Sequence, residues 1–77
     1  MPEEQELTAL SCHLGSVLAA RGWTLAELSR AIGITQANLS ILKNNRARAI
    51  RYSTLISICR ALRCQPGDLF TVDLSEG

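Results

Sequence analysis

Leu25-Ala-Glu-Leu-Ser-Arg-Ala-Ile-Gly-Ile-Thr-Gln-Ala-Asn-Leu-Ser-Ile-Leu-Lys-Asn44 is the stretch on which the fold turns. Leu25, Leu28 and Ile32 form one stripe at helical spacing, and Gly33 interrupts it. Thr24-Leu-Ala-Glu27 is a capping-box sequence, in which the Thr24 hydroxyl accepts from the Glu27 amide while the Glu27 side chain reaches back. Ile34 enters the turn, and Thr35 is an N-cap for a second helix that runs to about Asn44. Only Gly33-Ile34 separates the two helices, so the corner between them must be tight. Gly33 suits the reversal, and Ser29 is small enough for the next helix to cross closely. Leu28, Ile32, Ile34, Leu39 and Leu42 supply the inward apolar groups.

That combination over residues 25–44 is the geometry of a helix-turn-helix DNA reader, whose second helix enters the major groove. Upstream, Leu10, Leu14, Val17 and Leu18 recur at helical spacing and predict a first helix ending near Arg21-Gly22. Leu7 fits the same period, yet 7–12 reads equally well as a short strand. Downstream, Asn44-Asn45 ends the third helix, and a loop 46–52 follows. Ser53 or Thr54 then starts a fourth helix through Leu62, with Leu55, Ile58, Cys59 and Leu62 as its apolar stripe. Pro66 fits the first position of a short fifth turn at 65–69, and the alternating stretch 70–74 reads as a strand.

Leu39 and Leu42 fix the buried side of the third helix, so Ala37, Ser40, Ile41 and Asn44 point roughly the other way, with Gln36 exposed in the first turn. None of the five is charged, unlike an ordinary solvated helix face. Such groups suit base edges: glutamine pairs with adenine N6/N7, and alanine or isoleucine touches a thymine methyl. Gln36 also reads as a plain surface residue, and Ile41 as a contact with the fourth helix or a partner subunit.

The net charge of +1 over 77 residues says little, but its distribution says more. Arg30, Lys43, Arg46, Arg48, Arg51, Arg60 and Arg63 all lie between Leu28 and Gly67, which hold no acid between them; all seven acids lie outside. One basic face against a polyanion is the expected consequence. Lys43, Arg46, Arg48 and Arg51 follow the reading helix and are expected to hold phosphates, with affinity that depends on salt. Amides at 24–26, beginning with Thr24, offer another phosphate site at a helix start. Arg30 and Arg60 are weaker candidates, and Arg63 reads as structural.

The length sets a single small domain over 7–74, with an acidic tail at 1–6 and a short tail at 75–77. Three cysteines, Cys12, Cys59 and Cys64, are an odd number without paired spacing, so neither a disulfide framework nor a metal site is expected. The acidic start argues against a secretory signal, no apolar run is long enough for a membrane span, and a cytoplasmic protein is expected. His13 has no acid nearby outside the tail, Cys59 lies on an apolar stripe, and Cys12 and Cys64 lack a base, so catalysis is not expected; nor is a cofactor or small-molecule substrate. Trp23, Tyr52 and Phe70 sit where packing is expected, which disfavours single-stranded nucleic acid. The rival reading is an antitoxin-like or accessory module that recognises a protein; the basic 28–67 stretch speaks against it.

The stretch from Gly22-Trp-Thr-Leu-Ala-Glu-Leu to Asn-Leu-Ser-Ile-Leu-Lys43, continued by Cys59-Arg-Ala-Leu-Arg-Cys-Gln-Pro-Gly-Asp-Leu-Phe70, resembles the Cro/C1-type (Xre-like) helix-turn-helix family of phage repressors and bacterial regulators, in a small stand-alone branch. The resemblance covers about residues 13–70. It implies a mainly α, five-helix, lambda-repressor-like domain that binds operator DNA as a homodimer, with Gln36 at the family's leading base-reading position. The family's frequent second glutamine is replaced by Ala37, and its common long polar residue by Ile41. In some small relatives the flanking segments pair as short strands, which suits 7–12 with 70–74. The dimer surface is expected at Leu69, Phe70, Val72 and Leu74.

Overall fold

The computed structural model describes residues 10–74. The acidic tail at 1–6, the first residues of the domain and of the expected strand at 7–9, and the tail at 75–77 lie outside the described residues. In chain order come β1 (Leu10–Cys12), α1 (Leu14–Arg21), α2 (Leu25–Ile32), α3 (Gln36–Lys43), α4 (Tyr52–Leu62), α5 (Pro66–Leu69) and β2 (Phe70–Val72). The expected mainly helical fold with five helices and flanking strands is what forms.

β1 and β2 pair antiparallel, with Leu10 opposite Val72, Ser11 opposite Thr71 and Cys12 opposite Phe70. Leu10 thus belongs to a strand, against its helical spacing with Leu14. The first i→i−4 bond of α1 runs from the Val17 amide to the His13 carbonyl at 3.0 Å, so the helix cannot start earlier. The His13 amide instead donates to the Leu69 carbonyl at 2.7 Å, which carries the strand pairing up to the helix start. β2 stops after Val72, short of the expected Leu74.

The caps follow the sequence closely. Gly22 (φ 72) and Gly33 (φ 71) take the left-handed conformation at the ends of α1 and α2, a region in which a side chain costs about 1–2 kcal/mol. At Thr24 both capping-box bonds are made: the hydroxyl accepts from the Glu27 amide at 3.1 Å, and the Thr24 amide donates to Glu27 Oε1 at 2.8 Å. α4 begins at Tyr52 rather than at Ser53 or Thr54. The Leu55 amide donates to the Arg51 carbonyl at 3.0 Å, which closes the first turn without a hydroxyl cap. That start leaves Tyr52 83% exposed, so it does not pack as expected, whereas Trp23 and Phe70 are half-buried against the core.

Leu14, Val17, Leu18, Leu28, Leu39, Leu42, Ile58, Leu62, Cys64 and Leu69 make one core drawn from all five helices. Each buried Leu or Ile contributes about 1.5–3 kcal/mol relative to exposure. Ile32, Ile34, Leu55 and Cys59 pack at its margin. Arg21 closes the far side: its Nε donates to the Leu62 carbonyl at 2.8 Å and its Nη2 to the Arg63 carbonyl at 3.2 Å, satisfying the C-terminal carbonyls of α4 with a cation.

Candidate nucleic-acid interface

α2 and α3 meet at a corner held by two devices. Gly33 supplies the left-handed residue, and its amide donates to the Ser29 carbonyl at 2.9 Å. The Ser29 hydroxyl donates to the Ile34 carbonyl at 2.6 Å. Ser29 is therefore more than a small residue at a crossing: it ties down the first peptide after the turn. Leu28, Leu39 and Leu42 are buried beneath the corner, as their spacing predicts.

Thr35 caps α3 by accepting from the Asn38 amide at 3.2 Å. With Leu39 and Leu42 held in the core, Gln36, Ala37, Ile41 and Asn44 are exposed on the outer face, and Ser40 is half-buried. Ile41 is 46% exposed, so the fourth helix does not cover it. Asn44 Nδ2 donates to the Ser40 hydroxyl at 3.2 Å, which joins these two of the five into one polar group.

A groove of about 480 Å³ runs between α3 and the loop that follows it. Asn38 and Ile41 line one wall, and Arg46, Arg48 and Arg51 line the other. Three of the four predicted phosphate cations thus share a groove with Ile41, while Gln36, Ala37, Ser40 and Asn44 are not among its lining residues. Asn38 is an exposed polar member of this groove that helical phase alone did not single out. Lys43 leaves from the opposite flank, where its stem lies over Gly15 of α1: a Cβ at Gly15 would come within 3.2 Å of Lys43 Cε. Thr24 stands apart from the groove. The Thr24 amide and hydroxyl together hold the Glu27 carboxyl below the ordinary carboxylate range, so the start of α2 already carries a negative charge.

The bend from α3 into the basic loop is fixed by Asn45. Its φ of 62 is left-handed, its amide donates to the Leu42 carbonyl at 3.1 Å, and the next amide, of Arg46, donates to the Ile41 carbonyl at 2.9 Å. This is a Schellman motif built on asparagine instead of glycine. The Asn45 side chain then reaches β1, where Oδ1 accepts from the Cys12 amide and Nδ2 donates to the Leu10 carbonyl.

Of the remaining candidates, Leu69 is only 2% exposed and belongs to the core, so it offers no dimer surface. Phe70 is half-buried, and Val72 and Leu74 are exposed at 58% and 84%. Arg63 takes a structural position, with φ 55 at the end of α4. His13 Nε2 lies 2.7 Å from the Thr71 hydroxyl and serves the strand pair. Among the described residues there is no group of three or more His, Cys, Asp or Glu side chains placed to hold a metal, and no helix is long and apolar enough to cross a membrane.

The chain is similar to known proteins over most of its length. The family model of the Cro/C1-type HTH DNA-binding domain matches residues 13–74. The uncharacterized HTH-type transcriptional regulator YozG of Bacillus subtilis (strain 168) is 56% identical over 61 residues, which cover 79% of this chain and 73% of that protein. No solved structure matches the chain significantly. The corner around Gly33, the exposed face of α3 and these matches agree: the chain belongs to the Cro/C1-type helix-turn-helix DNA-binding domain family.

Proposed function

We propose that this protein is a sequence-specific transcriptional repressor that docks α3 in the major groove of duplex DNA as a homodimer. The observation that carries the reading is the uncharged exposed side of α3, which meets at Ile41 the groove that holds Arg46, Arg48 and Arg51. Gln36 reads a base edge, with Ala37 and Ile41 against methyl groups and the Ser40–Asn44 pair at the far end. Arg46, Arg48, Arg51 and Lys43 hold phosphates and fix the register. Thr24 contributes less than a bare helix start would, because its amide is engaged by Glu27 and the Glu27 carboxylate repels a phosphate there. The name of the YozG relative, a transcriptional regulator, supports the regulatory role.

A single domain of this size buries little surface on DNA, so specific affinity favours two copies on two half-sites. The sheet supports a place for their contact. Asn45 bonds the Leu10 carbonyl and the Cys12 amide, so those groups face away from β2. The Phe70 amide is taken by the Pro66 carbonyl, so the outer edge of β2 offers the Phe70 carbonyl and the backbone groups of Val72, beside the exposed Val72 and Leu74 side chains. Repression follows from occupancy alone, since a dimer seated on a promoter excludes polymerase without a second surface.

Selection from random duplexes at moderate salt tests the reading. The expected product is a two-fold symmetric site whose half-sites are centred about 34 Å apart. If no duplex is enriched while a protein partner is captured, the fold serves protein recognition instead.

A further inference from the structure

Cys59 and Cys64 stand on either side of the reversal that ends α4. Arg63, with φ 55, turns the chain, and the Cys64 amide donates to the Cys59 carbonyl at 3.0 Å. This hydrogen bond closes a Schellman reversal, which sets its first and last side chains against each other. Here both are free thiols. They line a common surface groove with Leu55, Ile56 and Pro66. Cys59 is half-buried and open to that groove, while Cys64 is 7% exposed. A disulfide requires Cα atoms about 4.4–6.8 Å apart, and a reversal closed by a backbone hydrogen bond between the same two residues holds them close.

We propose that Cys59 and Cys64 form a dithiol site that a hydroperoxide closes into an intramolecular disulfide at the end of α4. Cys59, the more accessible thiol, attacks as the thiolate on a peroxide oxygen. The O–O bond breaks, Cys59 becomes a sulfenic acid, and with hydrogen peroxide the other oxygen leaves as water. The Cys64 thiol gives up its proton and attacks the Cys59 sulfur; the S–S bond forms, the S–O bond breaks, and the oxygen leaves as a second water. The pair loses two electrons and the peroxide gains them. Burial, then the neighbouring Cys59, pushes the Cys64 thiol up, which suits a resolving thiol that stays protonated until a sulfenic acid forms beside it.

The test uses the whole reduced protein and hydrogen peroxide, read by mass. Trypsin separates the three cysteines, placing Cys12 in 1–21, Cys59 in 52–60 and Cys64 in 64–77. The expected result is a single chain lighter by two hydrogens, with peptides 52–60 and 64–77 joined and released by a thiol reductant. In Cys64→Ser the same treatment leaves Cys59 heavier by one oxygen. The proposal is overturned if the peroxide-treated wild type keeps its mass, gains oxygens without joining these peptides, or links Cys12 to either. Because the readout is the mass of the free protein, it does not depend on the DNA-binding reading.

Discussion

The Asn45 side chain accepts the backbone amide of Cys12 at 3.1 Å, across 33 positions of sequence. Its other end donates to the Leu10 carbonyl at 2.9 Å, so one carboxamide serves β1 as a short third strand would. The same residue turns the chain out of the proposed reading helix in the left-handed conformation. Asn45→Ala is expected to lower stability by about 2–3 kcal/mol, from two lost hydrogen bonds plus left-handed strain. Asn45→Gly, which relieves the strain, is expected to cost about 1–2 kcal/mol. Urea unfolding of the two variants checks the order; equal losses would show that the backbone conformation carries no cost.

Thr35 caps α3 through one bond, from the Asn38 amide. Thr35→Ala is expected to lower stability by about 1 kcal/mol, and Thr35→Ser to recover most of it. Thermal unfolding gives the size of the loss. Amide exchange over 36–38 should quicken in the alanine variant before the rest of the chain does.

Glu27 gives stability a pH dependence whose sign follows from its bonds. Its carboxyl is held below the ordinary range chiefly by the Thr24 amide and then by the Thr24 hydroxyl, so the folded state favours the charged form. A lowered folded-state value means a contribution fully present above the ordinary carboxylate range and lost as pH falls through the folded value. Melting temperatures from about pH 6 down to about pH 3 should therefore decline less steeply for Glu27→Gln than for the wild type. Parallel curves would show that the box contributes nothing through its charge.

Base reading and phosphate holding separate by salt. Gln36→Ala is expected to relax preference at one base pair by about 1–3 kcal/mol and leave the salt dependence unchanged. Arg46→Ala or Arg48→Ala should weaken binding to every duplex and lower the slope of log K against log salt by about one unit. Titrations of a selected site and a scrambled duplex at several salt concentrations distinguish the two. A Gln36→Ala variant that changes the slope would place that side chain on a phosphate.

The sequence alone determined the helix-turn-helix corner, because its signals are local. Thr24 with Glu27, Thr35, Gly33, and the spacing of Leu28, Leu39 and Leu42 act within a turn or two of their own positions, where dihedral preference and helical phase suffice. Pro66 marked α5 in the same way. The uncharged outer face of α3 was legible too, once its buried face was known. Only the tertiary structure decided the rest. Leu10 keeps helical phase with Leu14 yet joins a strand, since its partners, Val72 and Asn45, are remote in sequence. Leu69 looks like a surface residue of the C-terminal segment and is core, because α1 packs over it, and Tyr52 looks like a packing aromatic and is exposed. Ser29, Arg21 and Asn45 carry bonds to backbone carbonyls that no spacing announces. A carbonyl left open at a helix end or a strand edge is satisfied by whichever donor the packed chain brings near it, and that is settled only when the elements meet.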